Sequence, residues 1–304
     1  MPIQQHNELL LTSGQTTLSF SPATGKITRC VVQGNNLFVE PHADEWQRAL
    51  TDENRQSFES LDAWGADECF PTVAGSQLWN LRDHGSVWAK TPSVLFAHEN
   101  QCSIGWQQKD GRTFNRVVKA HSEFPSQRRL GAFALHTAFP NELSLADSSG
   151  QAESDFAAIS VYASHALFQA QPQDRIEWGF IAGVTTLESL LNKVFTYEVL
   201  AARKFAPDQR PVASKFYLRT SATKLFFTSL IREQLGIRID VIQDASLPWV
   251  GLWWCHNGWG DGRPHSTVGI EPTNLPSDGP VLGFKGLEPP EQVAAQFLWI
   301  VSKI

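Results

Sequence analysis

A chain of 304 residues with 42% hydrophobic and 18% charged side chains carries enough apolar surface for a sizeable core, which excludes an intrinsically disordered composition. The formal net charge is −6 and no lysine or arginine run could follow a phosphate backbone, so nucleic acid and anionic membrane are not expected partners. The opening MPIQQHNELLLTSG lacks a basic stretch before an apolar one, and no segment approaches the roughly 18 apolar residues of a membrane helix; a cytoplasmic protein is the expectation.

In chain order, short β-type runs come first: Glu8 to Thr12, Thr16 to Ser21, Lys26 to Val32 and Asn36 to Val39, separated by SG, PATG and QGNN turns. The pattern continues through PSVLFAH, CSIGWQQ, TFNRVVKAH, GAFALHTAF, FAAISVYAS, DRIEWGFIAG, KFYLRT, KLFFTSL, IRIDVIQ, STVGIEP and AAQFLWIVSKI. A helical period is expected only around residues 185–205, where Leu187, Leu190, Leu191, Val194 and Phe195 fall partly on one face. Many short strands with almost no alternating helices predict an all-β fold, a large antiparallel β-sandwich, formed as a single domain over residues 1–304. Cys30, Cys69, Cys102 and Cys255 are widely spaced and read as free thiols. Eleven tryptophans stand against three tyrosines, and aromatic faces of this kind also stack on sugar rings.

Three stretches concentrate chemistry. Residues 65–89 hold Asp67, Glu68, Asp83 and His84 with Trp79 and Trp88 in a loop-like setting. Residues 159–178 deliver His165 from an apolar strand. In residues 247–278, Glu271 ends the run Thr267 to Ile270, Pro272 stops the strand behind it, and Trp253, Trp254 and Trp259 surround it. A carboxylate so placed should have a perturbed pKa, which suits proton transfer. Taken singly, Asp67 and Glu68 read as solvated loop acids and His165 as a satisfied core histidine; for Glu271 the alternative is a strand-end acid paired with a neighbour such as Arg263. Cys255, His256 and His265 fit no zinc spacing, so no metal is expected, and no cofactor either: GxSxG, GxxxxGK[ST] and post-strand GxGxxG signals are absent.

In this order, DECFPTV, LRDHGSVWA, SHALFQAQPQDRIEW, VGLWW and HSTVGIEPTN resemble the aldose 1-epimerase (mutarotase) family, in its divergent branch with a DECFP loop. The segment LSFSPATGKITRCVVQGNNLF is similar to that family's opening hairpin, so the resemblance spans nearly the whole chain. It implies a galactose mutarotase-like, large twisted antiparallel β-sandwich with a carbohydrate cleft. It also implies that His84, His165 and Glu271 are the catalytic trio, with Glu271 as base, His165 as acid and His84 as hydrogen-bond donor near the sugar ring oxygen. Asp67, Glu68, Arg82 and Trp253 are the expected substrate-binding residues, and a small sugar is the expected partner of a monomer or homodimer. The trio is separated by 81 and 106 residues, so only a sheet can bring it together.

The sequence departs from the better-known galactose mutarotases in three places. The loop arginine before the first histidine has no equivalent, although Arg82 is near. The sugar-binding aspartate between second histidine and glutamate is not found; VASKFYLRTSATKLFF offers Lys215, Arg219 and Lys224 there. Ala166 replaces the proline after the second histidine. Two alternatives remain open: a non-catalytic carbohydrate-binding protein, and a hexose-6-phosphate mutarotase using Arg82, Lys215 and Arg219 on the phosphate. A glycosidase would need a second family-supported carboxylate.

Overall fold

Runs that alternate apolar and polar side chains at period two bury one set of side chains and satisfy their backbone in ladders with their neighbours. A computed structural model describes residues 8–41, 64–69, 73–74, 84–85, 87–88, 90–107, 113–124, 126–140, 142–143, 157–158, 162–204, 212–256, 266–278 and 292–304. Among these residues, two nine-stranded sheets account for almost all regular structure.

The first sheet comprises β1 (Leu9–Ser13), β2 (Thr16–Phe20), β3 (Ile27–Val32), β4 (Asn35–Asn36), β5 (Ala66–Cys69), β12 (Tyr162–Gln169), β15 (Val212–Arg219), β18 (Trp249–His256) and β19 (Ser266–Thr273). Its order is β1-β2-β3-β5-β12-β19-β18-β15, with β4 on β3. The second comprises β6 (Ser93–His98), β7 (Gln101–Gln107), β8 (Thr113–His121), β9 (Arg129–Pro140), β13 (Arg175–Ala182), β14 (Thr196–Lys204), β16 (Phe226–Arg232), β17 (Ile237–Gln243) and β20 (Gln292–Lys303). Its order is β14-β13-β16-β17-β20-β9-β8-β7-β6. A small ribbon joins β10 (Glu142–Leu143) to β11 (Ala157–Ala158). The ladders that flank the site, between β5, β12, β19, β18 and β15, are antiparallel.

The core lies between the sheets. Ala166, Phe168, Val250, Leu252, Trp254, Val268 and Ile270 of the first meet Phe114, Phe133, Leu135, Phe297 and Trp299 of the second. All four cysteines are buried. One helical turn, α1 (Leu187–Asn192), is capped by the Thr186 side chain and lays Leu187, Leu190 and Leu191 on the second sheet, beside Phe227, Ile242, Leu298 and Ile300. The helix expected through residue 205 therefore ends early. From Thr196 the chain pairs along β13 as the edge strand β14, and Val194 is exposed instead of lying on a helical face. The β-branched and aromatic residues Thr196, Tyr197 and Val199 favour that strand, and the ladder overrides a weak local helical period.

Candidate active site

The alternation that buries Ala166, Ile270 and Val250 turns the intervening residues to the opposite face of the first sheet. Asp67 (β5) stands opposite His165 (β12); Glu271 (β19) opposite Gly251 (β18); and Gly251 opposite Tyr217 (β15). Residues distant in sequence thus form one row running across five strands. A register shift in β12, seen against both β5 and β19, adds one residue between Tyr162 and His165. Without it, residues three apart would point to opposite faces; with it, both rings lie on the row, their centroids 6.1 Å apart.

The polar atoms form a file of alternating charge. Lys26 Nζ lies 3.0 Å from Asp67 Oδ2, Asp67 Oδ1 3.3 Å from His165 Nδ1, and His165 Nε2 3.3 Å from Glu271 Oε1. Glu271 Oε2 lies 2.9 Å from Lys215 Nζ, which is 3.0 Å from Asp278 Oδ1. Lys26 also donates to the Trp64 carbonyl at 2.9 Å and sits over the Trp64 ring. Asp278 accepts hydrogen bonds from the hydroxyls of Tyr162 and Tyr217. The backbone carbonyl of Asp278 holds the amides of Val73 and Ala74, and that of Val73 holds the His84 amide. His84 adopts φ = 54°, in the left-handed region, and its ring stands 5.4 Å from that of His165.

Electrostatics fix the protonation of the two central groups. Burial raises the Glu271 pKa, but Lys215 and His165 outweigh it and hold the carboxyl below its ordinary value of 4.5. Burial lowers the His165 pKa, but Asp67 and Glu271, one at each ring nitrogen, raise it above 6.5. Both shifts favour the charged forms, a carboxylate beside an imidazolium. Each Glu271 oxygen faces a cation, Oε1 the His165 imidazole and Oε2 the Lys215 ammonium. Two glycines seat the carboxylate: a Cβ on Gly251 would come 2.8 Å from Oε2, and one on Gly269 2.8 Å from Oε1.

Asp67, Cys69 and His165 offer donor atoms within 4.8 Å of one another. Lys26 already neutralises Asp67 and both His165 nitrogens face carboxylates, so these residues fit a charge row better than a cation seat.

The expected site residues fall into three groups. His84, His165, Glu271 and Asp67 come together; Trp253 packs beside them with Leu167, Trp88 and Val39. Glu68 faces the other way. It is buried between the sheets, 2.6 Å from Arg116 of β8, so the expectation that it accepts hydrogen bonds from sugar hydroxyls is corrected: strand alternation sends neighbouring acids to opposite faces. Asp67 touches His165 and Lys26 and is itself buried, which makes it a support for the histidine. Arg82, Asp83, Trp79, Trp259, Arg263 and His265 lie outside the described residues. Trp254 faces the core, and Glu271 pairs with Lys215. Sequence reading passed over Lys26, Tyr162, Tyr217 and Asp278. One signal was present: two of only three tyrosines in the chain stand on this cluster.

No family model and no curated protein sequence matches the chain. Solved structures do. The Slr1438 protein of Synechocystis sp. PCC 6803 superposes with a TM-score of 0.62 at 12% identity, over 100% of this chain and 98% of its own. A galactose mutarotase related enzyme from Lactobacillus acidophilus gives 0.57 at 12% identity, over 98% and 97%. A galactose mutarotase-like protein from Lactobacillus casei ATCC 334 gives 0.55 at 10% identity, over 97% and 99%. The chain has the galactose mutarotase-like fold.

Proposed function

We propose that this protein is an aldose 1-epimerase, an isomerase that interconverts the α and β anomers of an uncharged aldose. The observation that carries the reading is the pairing, on one sheet face, of a carboxylate held ionised with a histidine held protonated, Glu271 and His165, beside His84. Mutarotation needs both at once. Glu271 takes the proton of the C1 hydroxyl while His165 gives its Nε2 proton to the ring oxygen; the C1–ring oxygen bond breaks and an aldehyde forms. Rotation about C1–C2 and the reverse transfers close the ring on the other face, returning each proton to its donor. His84 donates a hydrogen bond near the ring oxygen, Asp67 holds His165 in place, and Trp253 offers an apolar wall.

An uncharged substrate is favoured over a sugar phosphate. Lys215, one of the three cations considered for a phosphate, is engaged by Glu271 and Asp278, and Arg219 is exposed above the Trp249 ring. The test is saturation-transfer NMR of anomer exchange over a panel of aldoses and hexose 6-phosphates. Acceleration of at least one aldose, reduced at least about 10²-fold in Glu271→Gln, is expected. Exchange no faster than buffer with every sugar, or equal rates from both proteins, would overturn the reading; faster exchange of phosphorylated sugars alone would replace the substrate class.

A further inference from the structure

We infer that Lys215 is a third participant in this reaction: its ammonium covers Glu271 until a sugar enters, then donates to the C1 oxygen as that oxygen loses its proton. The inference rests on the mutarotase reading and extends it to a residue that the resemblance does not assign.

Exposure along the file sets the direction of entry. The Glu271 side chain is 0% exposed, that of Lys215 16% and that of Asp278 40%. Among the described residues, the ammonium is the outermost contact of the carboxylate. A base must touch the hydroxyl it deprotonates, so a sugar reaching Oε2 must take the place that Lys215 Nζ holds, 2.9 Å away. Asp278 supplies somewhere for Lys215 to go. It lies 3.0 Å from the same nitrogen and is anchored by two tyrosine hydroxyls and, through its carbonyl, by the amides of residues 73 and 74. A flexible four-carbon stem can release one carboxylate and keep the other.

A cation beside a base makes the base weaker, because it stabilises the carboxylate that must accept the proton. As a mere neighbour Lys215 would slow the reaction. It becomes useful when it contacts the atom on which charge develops. That atom is the C1 oxygen, which sits within hydrogen-bond reach of Glu271 when its proton leaves and therefore within reach of an ammonium displaced only as far as Asp278. Lys215 keeps its own proton throughout. The O–H bond of the C1 hydroxyl breaks toward Glu271, the ring oxygen is protonated by His165, and Lys215 contributes a charge-assisted hydrogen bond.

The test compares wild type, Lys215→Met and Lys215→Arg by anomer-exchange NMR as a function of sugar concentration and pH, with urea unfolding of each. Lys215→Met should lower kcat by about 10²- to 10³-fold with KM changed by less than about threefold. It should also move the acidic limb of the kcat/KM profile upward, because Glu271 loses its cation. Lys215→Arg, which keeps the charge, should recover part of kcat and decides the matter if the methionine variant folds poorly. A methionine variant with wild-type kcat, or one faster than wild type because a cover has been removed, overturns the donor role while leaving the epimerase reading intact. Wild type that exchanges no sugar overturns both.

Discussion

His165 owes its proposed role to what faces its two nitrogens. Asp67 and Glu271 both favour the charged ring, and together they outweigh the burial that would discharge it. A folded-state pKa raised above 6.5 means that this stabilisation is complete below pH 6.5 and is lost as pH rises through the folded value. Asp67→Asn removes one counter-charge without changing size. The alkaline limb of kcat/KM should then move to lower pH, and the decline of Tm on the alkaline side should begin earlier, while the acidic limb set by Glu271 stays nearly in place. An unchanged alkaline limb, measured by exchange NMR between pH 5 and 9, would mean that Asp67 does not govern the histidine.

Strands, rather than loops, place the groups at the centre of the row. Gly251 and Gly269 lie on the same face as Glu271, on its partner strand and two residues back on its own. Both have ordinary strand conformations, so alanine suits the backbone; at Gly251 the close conflict is with the carboxylate oxygen, at 2.8 Å, whereas at Gly269 a Cβ would also meet Trp253 Cβ at 2.9 Å. Gly251→Ala should therefore push Glu271 aside at a stability change below about 1 kcal/mol, while turnover falls by about 10²-fold. Urea unfolding and exchange rates on the same preparation check the two halves, and a proportional loss of both would show that the glycine serves folding alone. The period-two rhythm made the strands legible in the sequence, and the order of short motifs pointed to His84, His165 and Glu271. Single-residue facing was not legible where rhythm breaks: the extra residue of β12 brings Tyr162 round to the His165 side, and no local pattern announces it. Nor does local pattern show that Asp67 and Glu68, side by side in DECFP, serve different faces, or that the run after α1 prefers a ladder to another helical turn.

Across the molecule, one ion pair ties the sheets together under the site. Arg116 of β8 reaches Glu68 of β5 through the inter-sheet core, touching the Phe20 and Trp106 rings and the Gly25 carbonyl on its way. Burial pushes Glu68 up to about 7 even with Arg116 pulling the other way. A raised folded pKa makes this carboxyl's contribution greatest below 4.5 and progressively lost as pH rises through about 7. Arg116→Met strands the carboxyl, so stability should fall by about 3 to 5 kcal/mol above neutrality and by less near pH 5, where Glu68 takes up a proton. Replacing both, Glu68→Leu with Arg116→Met, should restore most of it; urea unfolding at the two pH values reads all of these, and a pH-independent deficit would place the loss in packing instead. The file from Lys26 to Asp278 obeys the same arithmetic over a longer span. Three cations and three anions alternate at 2.9 to 3.3 Å, so neutralising one member leaves the row with a net charge. Neutrality survives when two neighbours change together.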